Sequence, residues 1–330
     1  MRVCLLGHYQ REPTEGTRKI FAEISNRISQ LCETMVCDIS DISAIKNARN
    51  FHPDIVHAIM GPSSLLSIFI LRIWSFLLRP KALILTATQF TIKRFSIASF
   101  IIKPDLVIVQ SERTKEILEK IGWKTLILPA GVDTNRFIPV DNEKKIELRK
   151  KFGLASNKKL LLHVGPIKYK RNLNWLVDLR LKNSSILCIS RPNDLGDRAL
   201  IRKLQDDNVN IISAYISDIE KIYQMADLFI FPAMDIESCI ETPLSVLEAG
   251  SCNLPIMTTE FGSIPMIFRN TKGIIFVKGY NEFRHAIKIF DEAEKFESYS
   301  RNAVLQYDWD NICKIILDKY YEILDKTLEN

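Results

Sequence analysis

Glycine is scarce in this chain of 330 residues, with only 12, well below the roughly 7% of an average protein. Each glycine in a loop therefore carries weight. The seven cysteines are odd in number, scattered and free of any CxxC pair. That argues against a disulfide framework or a zinc site and favours a reducing compartment; Cys32 and Cys37 read as ordinary core positions. No GxGxxG follows the first apolar run, which argues against a nicotinamide-dependent enzyme. The net charge is +6, but there is no aromatic–basic RNA motif and no helix-turn-helix signal, so nucleic acid is not an expected partner. The opening residues Met1–Gly7 are too short for a signal peptide and read as a first strand. From Ile55 to Pro104 there is no acidic residue, against six cations: Arg72, Arg79, Lys81, Lys93, Arg94 and Lys103.

What remains is a globular composition, 47% apolar and 25% charged, long enough for two domains with their own cores. Apolar runs at 2–6, 54–59, 82–87, 105–109 and 125–128 alternate with helical patterns. A second series follows at 159–164, 185–190, 209–213, 227–231, 255–258 and 273–277. Short buried strands alternating with helices predict parallel sheets covered on both faces. The charged stretch 141–157, with Glu143 to Lys151 at its centre, reads as a solvated helix and linker. Trp309 to Leu328 has apolar residues at helical spacing and predicts a closing amphipathic helix. The expected organisation is an N-terminal domain over 1–140, the linker, a C-terminal domain over 158–308 and a terminal helix over 309–330.

The most informative stretch is Glu241–Gly250, ETPLSVLEAG, between the apolar runs 227–231 and 254–257. The order reads strand, acidic loop, helix, strand. Pro243 suits a first helical turn, where its missing N–H costs nothing. A helix N-terminus at the carboxyl end of a strand favours anionic ligands. Asp235, Glu237, Glu241 and Glu248 lie around it, and carboxylates are natural acceptors for sugar hydroxyls.

This segment resembles the nucleotide-sugar motif of the GT-B glycosyltransferases of family GT4, in which a Glu, seven residues and a second Glu precede Ala and a small residue. Glu248-Ala249-Gly250 matches the second half. Ile240 stands at the position of the first Glu, so Glu241 and Glu237 are both candidates for that role. Other segments fall in the family's order. Gly131-Val-Asp133 to Phe137-Ile-Pro139 resembles the segment that closes the first domain. There Gly131 is expected at a positive φ, and Asp133 is expected to cap the turn. Gly165, followed by Lys168, Lys170 and Arg171, resembles the loop that holds the donor diphosphate, with Pro166 where an Arg is usual. Phe261-Gly262-Ser263-Ile-Pro265-Met266 resembles a GGxPE turn whose second Gly and Glu are replaced. Gly16 and Thr17 occupy the first-domain glycine-rich loop. Gln89 lies where many members have a His near the acceptor. His8 is an alternative polar group there, whereas His57 reads as a core residue of its strand.

The resemblance implies a GT-B architecture: two Rossmann-like, doubly wound α/β domains facing across a cleft, with a C-terminal crossover helix. It implies a retaining, metal-independent transferase with no cofactor. A nucleotide-diphospho-sugar would be the donor, and a glycan or lipid-linked molecule the acceptor. Gly165, Lys168, Lys170, Arg171, Glu248, Gly262 and Ser263 would hold the donor. Glu241 or Glu237 would contact the transferred sugar, and Gly16, Thr17 and Gln89 would face the acceptor. Two other readings stay open: an inactive GT-B scaffold or partner subunit, and a GT-B-type nucleotide-sugar epimerase.

Leu65 to Leu78 reads LLSIFILRIWSFLL, too short to span a bilayer. Either it is a buried helix, or it lies in an anionic membrane interface with Trp74 and the flanking cations of 65–103. The expected location is cytoplasmic, with peripheral attachment to the cytoplasmic face of a membrane as the open addition.

Overall fold

The computed structural model describes residues 1–8, 16–60, 65–89, 103–192 and 195–328; for 42, 65–68, 327 and 328 only the backbone is described. The chain divides into two compact units. The first comprises Met1–Gly131, Cys239–Pro243 and Tyr307–Asn330, and the second Val132–Ser238 and Leu244–Gln306.

The first unit is built on a parallel sheet of β1 (Arg2–Gly7), β2 (Glu33–Asp38), β3 (Ile55–Met60), β4 (Ala82–Ala87), β5 (Leu106–Val109) and β6 (Thr125–Ile127), in the order β2-β1-β3-β4-β5-β6. Every residue of β3 and β4 is buried, as expected of strands covered on both faces. Its described helices before the second unit are α1 (Gly16–Leu31), α2 (Ile45–Phe51), α3 (Leu65–Leu78) and α4 (Glu112–Lys120). The second unit carries β7 (Lys159–Val164), β8 (Ser184–Ser190), β9 (Asn210–Ser213), β10 (Leu228–Phe231), β11 (Ile256–Thr258) and β12 (Ile274–Phe276). Their order, β12-β11-β10-β7-β8-β9, is the classic dinucleotide-fold order seen from the other edge. Its helices are α5 (Asn142–Lys151), α6 (Arg198–Asp206), α7 (Ile219–Gln224), α8 (Leu244–Ser251), α9 (Ile264–Phe268), α10 (Tyr280–Glu292) and α11 (Ser300–Val304). The last helix, α12 (Trp309–Leu328), belongs to the first unit.

Two observations explain why α12 packs there. Its Asp310 accepts from Arg27 Nε of α1 at 2.7 Å. Its buried Tyr320 hydroxyl lies 2.5 Å from His57 Nδ1, while His57 Nε2 lies 2.7 Å from Thr86 Oγ1. Burial holds His57 well below an ordinary imidazole, at about 3. His57 is thus a core residue of its strand.

Several expectations need correction. The charged stretch 141–157 holds the helix expected there, α5, but lies within the second unit instead of between two units. Its Arg149 is buried, donates to Met225 O at 2.8 Å and pairs with Asp227, which Lys145 also reaches at 3.0 Å. A run of charges looks solvated in sequence, yet this tertiary pairing carries one arginine inside. Gly131 is not among the positive-φ residues. It is small because a Cβ there would lie 2.6 Å from the Trp309 ring. Asp133 does cap its turn, accepting from Asn135 N and Arg136 N at 3.1 and 2.9 Å. Trp74 is fully buried and donates its indole N–H to Ile39 O at 3.2 Å, so it anchors the core and does not face lipid. Strand β2 was not among the expected runs, because an edge strand reading ETMVCD, mostly not buried, lacks an apolar stretch.

Candidate functional site

In the second sheet β7 and β10 are neighbours, although the chain leaves β7 toward β8 and β9 before returning on the other side. That junction is the topological switch point, where open parallel sheets bind ligands beyond their carboxyl ends. Residues from both loops meet there.

The loop after β7 turns at Gly165, whose φ of 142° suits glycine. A Cβ there would lie 2.7 Å from Arg171 Nη1. Lys168, half-buried, leads into a short 3₁₀ turn, Tyr169–Arg171. Tyr169 N donates to Asp197 Oδ2 at 2.7 Å. Asn172 ends the turn in the left-handed region and donates its side-chain amide to Pro232 O at 2.9 Å. This ties the loop after β7 to the loop after β10. Arg171 makes a second tie, donating through Nε and Nη2 to Ser238 O at 3.2 and 3.0 Å. Lys170 is exposed, with Nζ 3.7 Å from Asp235 and 4.0 Å from Glu237. Exposed pairs of this kind are weak, typically under ~1 kcal/mol, so Lys170 is easily drawn to another anion.

Beneath this turn lies His163, buried in β7. Its Nδ1 is 3.0 Å from Ile230 O, and a carbonyl can only accept, so the proton sits on Nδ1. Burial first, then the Arg171 charge, holds His163 down to about 4. It is neutral near pH 7.

The acidic loop after β10 is shaped by Asp235, which accepts from Glu237 N at 2.8 Å. Glu237 itself is exposed and is the carboxylate brought beside Lys170. Glu241 behaves differently. Cys239–Pro243 belongs to the first unit, where Glu241 N donates to Thr88 O at 2.9 Å and Thr242 N to Gln110 Oε1 at 3.0 Å. The buried Glu241 carboxylate accepts from Thr114 Oγ1 at 2.5 Å. Burial pushes its carboxyl upward against the opposing pull of Thr114 and Ser111. Ile240 covers Gly16, where a Cβ would lie 2.6 Å from its Cδ1. Thr17 and Thr88 hydroxyls meet at 2.8 Å, and Gln89 is half-buried next along the chain. The first-unit candidates Gly16, Thr17 and Gln89 therefore sit around the segment that holds Glu241. Most of the loop after β1, residues 9–15, lies outside the described residues. His8 is exposed, with Nδ1 3.3 Å from Ser40 Oγ.

Glu248 is buried one turn into α8 and accepts from the Tyr223 hydroxyl of α7 at 2.6 Å. Tyr223 is enclosed by Phe137 and Phe229, and burial followed by the Glu248 charge pushes its phenol well up. Gly262, at φ 52°, and the buried Ser263 turn the chain from β11 into α9. Tyr223, Asn172 and His163 were missed in the sequence. Only His163 left a signal, as a polar residue inside the apolar run LLLHV.

A family model, "Glycosyl transferases group 1", matches residues 144–304. An uncharacterised glycosyltransferase of Methanocaldococcus jannaschii is 21% identical over 60% of this chain and 54% of its own length. The alpha-galactosylglucosyldiacylglycerol synthase of Streptococcus pneumoniae is 23% identical over 60% of this chain and 54% of its own length. The chain thus spans about half the length of these curated relatives. Among solved structures, Anabaena HepE in complex with UDP superposes with a TM-score of 0.77 at 14% identity, covering 98% of this chain and 100% of that one. At that identity the likeness shows the fold alone, which is GT-B.

Proposed function

We propose that this GT-B chain, of which residues 144–304 match the glycosyl transferases group 1 model, transfers a sugar from a nucleotide-diphospho-sugar to a glycan or lipid-linked acceptor. The observation that carries this reading is the cationic turn at the switch point. Arg171 stands beside Gly165, whose φ of 142° disfavours a side chain, and Lys170 is exposed on the same turn. Such a turn suits a diphosphate, whose negative charge grows as the glycosidic bond breaks. Lys168 adds a third cation on the same turn, and Gly262 with Ser263 offers backbone N–H groups. Glu248 accepts from the nucleoside, and Glu237, exposed on its loop, accepts from hydroxyls of the transferred sugar. UDP is the first nucleotide to try, since HepE was solved with it; the pneumococcal relative's name favours a lipid-linked acceptor.

We further propose that transfer retains the anomeric configuration and needs no metal. The bond from the anomeric carbon to the terminal phosphate oxygen breaks. The acceptor oxygen bonds the same face, and its proton passes to the departing phosphate. The cations of the turn neutralise that leaving group.

One observation favours a second reading. Ile240 occupies the position of the family's first Glu, and the neighbouring Glu241 is engaged inside the first unit by Thr114. A partner subunit without turnover would tolerate this. The test is a thermal-shift panel of UDP, GDP, ADP and CMP with their sugars, on wild type and on Lys170→Ala, followed by release of nucleotide with and without acceptor. A ligand bound only by the folded state at 100 times its Kd adds about 2.7 kcal/mol. A shift with one nucleotide diphosphate, lost in Lys170→Ala, with nucleotide release that needs acceptor, supports the transferase. Release without acceptor supports an epimerase. A shift without any release supports the partner subunit, and no shift overturns the donor site.

A further inference from the structure

We propose that the outward face of α3 docks the protein on an anionic lipid bilayer. This goes beyond the transfer reaction proposed above and does not depend on it. Helix α3 has two chemically distinct sides. Leu71, Trp74 and Leu78 are buried in the core of the first unit, and at ~100° per residue they share one side. Phe69 and Phe76 lie on the opposite side and are 55% and 64% exposed. Arg72, exposed, lies between them, and the exposed Arg79 follows at the helix end. The spacing Phe69, Arg72, Phe76, Arg79 makes a single stripe of alternating aromatic and cation.

The neighbouring helix α2 packs against α3. It buries Ile45 and Ala48 and exposes Lys46 and Arg49. Neither helix contains an acidic residue. Residues 42–104 hold eight of the chain's 45 cations and one of its 39 acids, so they carry +7 and the rest of the chain −1. The single acid, Asp54, is already committed to Lys81 at 2.9 Å and to Arg2 N at 2.8 Å. Lys46, Arg49, Arg72 and Arg79 are all exposed on or at the end of these two helices.

Chemistry selects the occupant. Aromatic side chains flanked by arginines, with no carboxylate among them, match the acyl–headgroup boundary of a bilayer carrying anionic lipid. The rings enter the boundary and the guanidinium groups reach phosphate. Spanning is not involved: among the described residues no helix is long and apolar enough to cross a membrane. The residue that served as the interfacial anchor in the sequence reading, Trp74, is replaced in that role by Phe69 and Phe76.

The test is sedimentation of the full chain with vesicles of phosphatidylcholine alone and of phosphatidylcholine with phosphatidylglycerol, without nucleotide. Binding to the anionic vesicles is expected to fall with salt and to be weak on phosphatidylcholine. Arg72→Gln with Arg79→Gln is expected to weaken it about 30-fold, from the worth of a cation at an anionic surface, and to flatten the salt dependence. Phe69→Ser with Phe76→Ser is expected to weaken it by about tenfold or more. All four side chains are exposed, and unchanged circular dichroism checks that the variants fold. No sedimentation of wild type overturns the proposal, and so does equal sedimentation of both double variants or equal binding to the two vesicle types. An acidic protein partner would give the first of these outcomes. The thermal shift with nucleotide is expected to be the same in all these variants, so failure here and failure of the donor site read out separately.

Discussion

The two sheets are built alike and end differently. Both are six-stranded and parallel, and both hide a histidine in a central strand. At the carboxyl ends of β4 and β5 the first sheet presents Thr88 and Gln110, hydrogen-bonded to the backbone of Cys239–Pro243. At the carboxyl ends of β7 and β10 the second sheet presents Lys170 and Arg171 against an acidic loop. Neutral donors and acceptors suit hydroxyl-bearing molecules, whereas clustered cations suit phosphate. The carboxyl ends of β4 and β5 are thus closed by buried neutral hydrogen bonds, whereas the turn after β7 carries the cations of the proposed diphosphate site.

The largest expected effect breaks the likeness of the two buried histidines with acid. Each is held below its ordinary value of 6.5, His57 to about 3 and His163 to about 4. A depressed value means that the unfolded chain takes up a proton before the folded one does. Stability is therefore fully present above pH 6.5 and lost as pH falls toward the folded values. At 1.36 kcal/mol per unit, each histidine contributes a loss of roughly 3 kcal/mol between pH 6.5 and 4. Unfolding midpoints measured across that range are expected to drop, and His57→Gln is expected to flatten the drop. A midpoint independent of pH would show that neither imidazole is kept neutral by burial.

Next in size is the loss of a cation. Arg171→Ala removes a charge from the proposed diphosphate site and its two bonds to Ser238 O. Turnover with a nucleotide-sugar is expected to fall about 10²- to 10³-fold, the usual cost of one group that stabilises developing negative charge. Steady-state kinetics separates the cases: a lower kcat at unchanged KM locates the contact in the transition state. An unchanged kcat/KM would remove the contrast between the two sheets.

The smaller contrast between Glu237 and Glu241 shows how far the sequence could be read. The alternation of apolar runs was enough for eleven of the twelve described strands and missed the edge strand β2, because β3, β4 and β10 are buried throughout and leave a plain signature that β2 lacks. The cationic turn was legible because three charges follow a glycine within a few residues. Which carboxylate stands beside it was not. Glu237 and Glu241 are four residues apart in one acidic loop, and only tertiary contacts send one to Lys170 and the other to Thr114. Likewise nothing in the run Glu143–Lys151 marks Arg149 as the one that Asp227 draws inside. Tyr223 gave no sign of holding Glu248 because the two lie 25 residues apart.

Glu241 also allows a pH test with the opposite sign to the histidines. Burial raises the Glu241 carboxyl, so the folded state favours its protonated form. The stability linked to it is fully present below the ordinary value of 4.5 and is lost as pH rises through the higher folded value. Glu241→Gln keeps an oxygen to accept from Thr114 but removes the buried charge. It is expected to be more stable than wild type at pH 8, with the advantage shrinking as pH falls to 4. Wild type more stable at pH 8 would mean that the ionised carboxylate is the favoured form.

The smallest expected effect concerns the acidic loop itself. Asp235 and Glu237 hold Lys170 at 3.7 and 4.0 Å, on the side where the proposed phosphate would bind. A diphosphate must then compete with two carboxylates that are weakly paired because they are exposed. Asp235→Asn with Glu237→Gln removes the competitors and leaves the cation. Nucleoside diphosphate is expected to bind about two- to fivefold more tightly, in keeping with the few tenths to ~1 kcal/mol of an exposed pair, and the gain should fade at high salt. Isothermal titration with UDP and with UDP-glucose separates two roles for Glu237. If it only restrains Lys170, both ligands gain alike. If it also accepts from the sugar hydroxyls, UDP gains and UDP-glucose gains less, because a neutral amide oxygen is a weaker acceptor than the carboxylate it replaces.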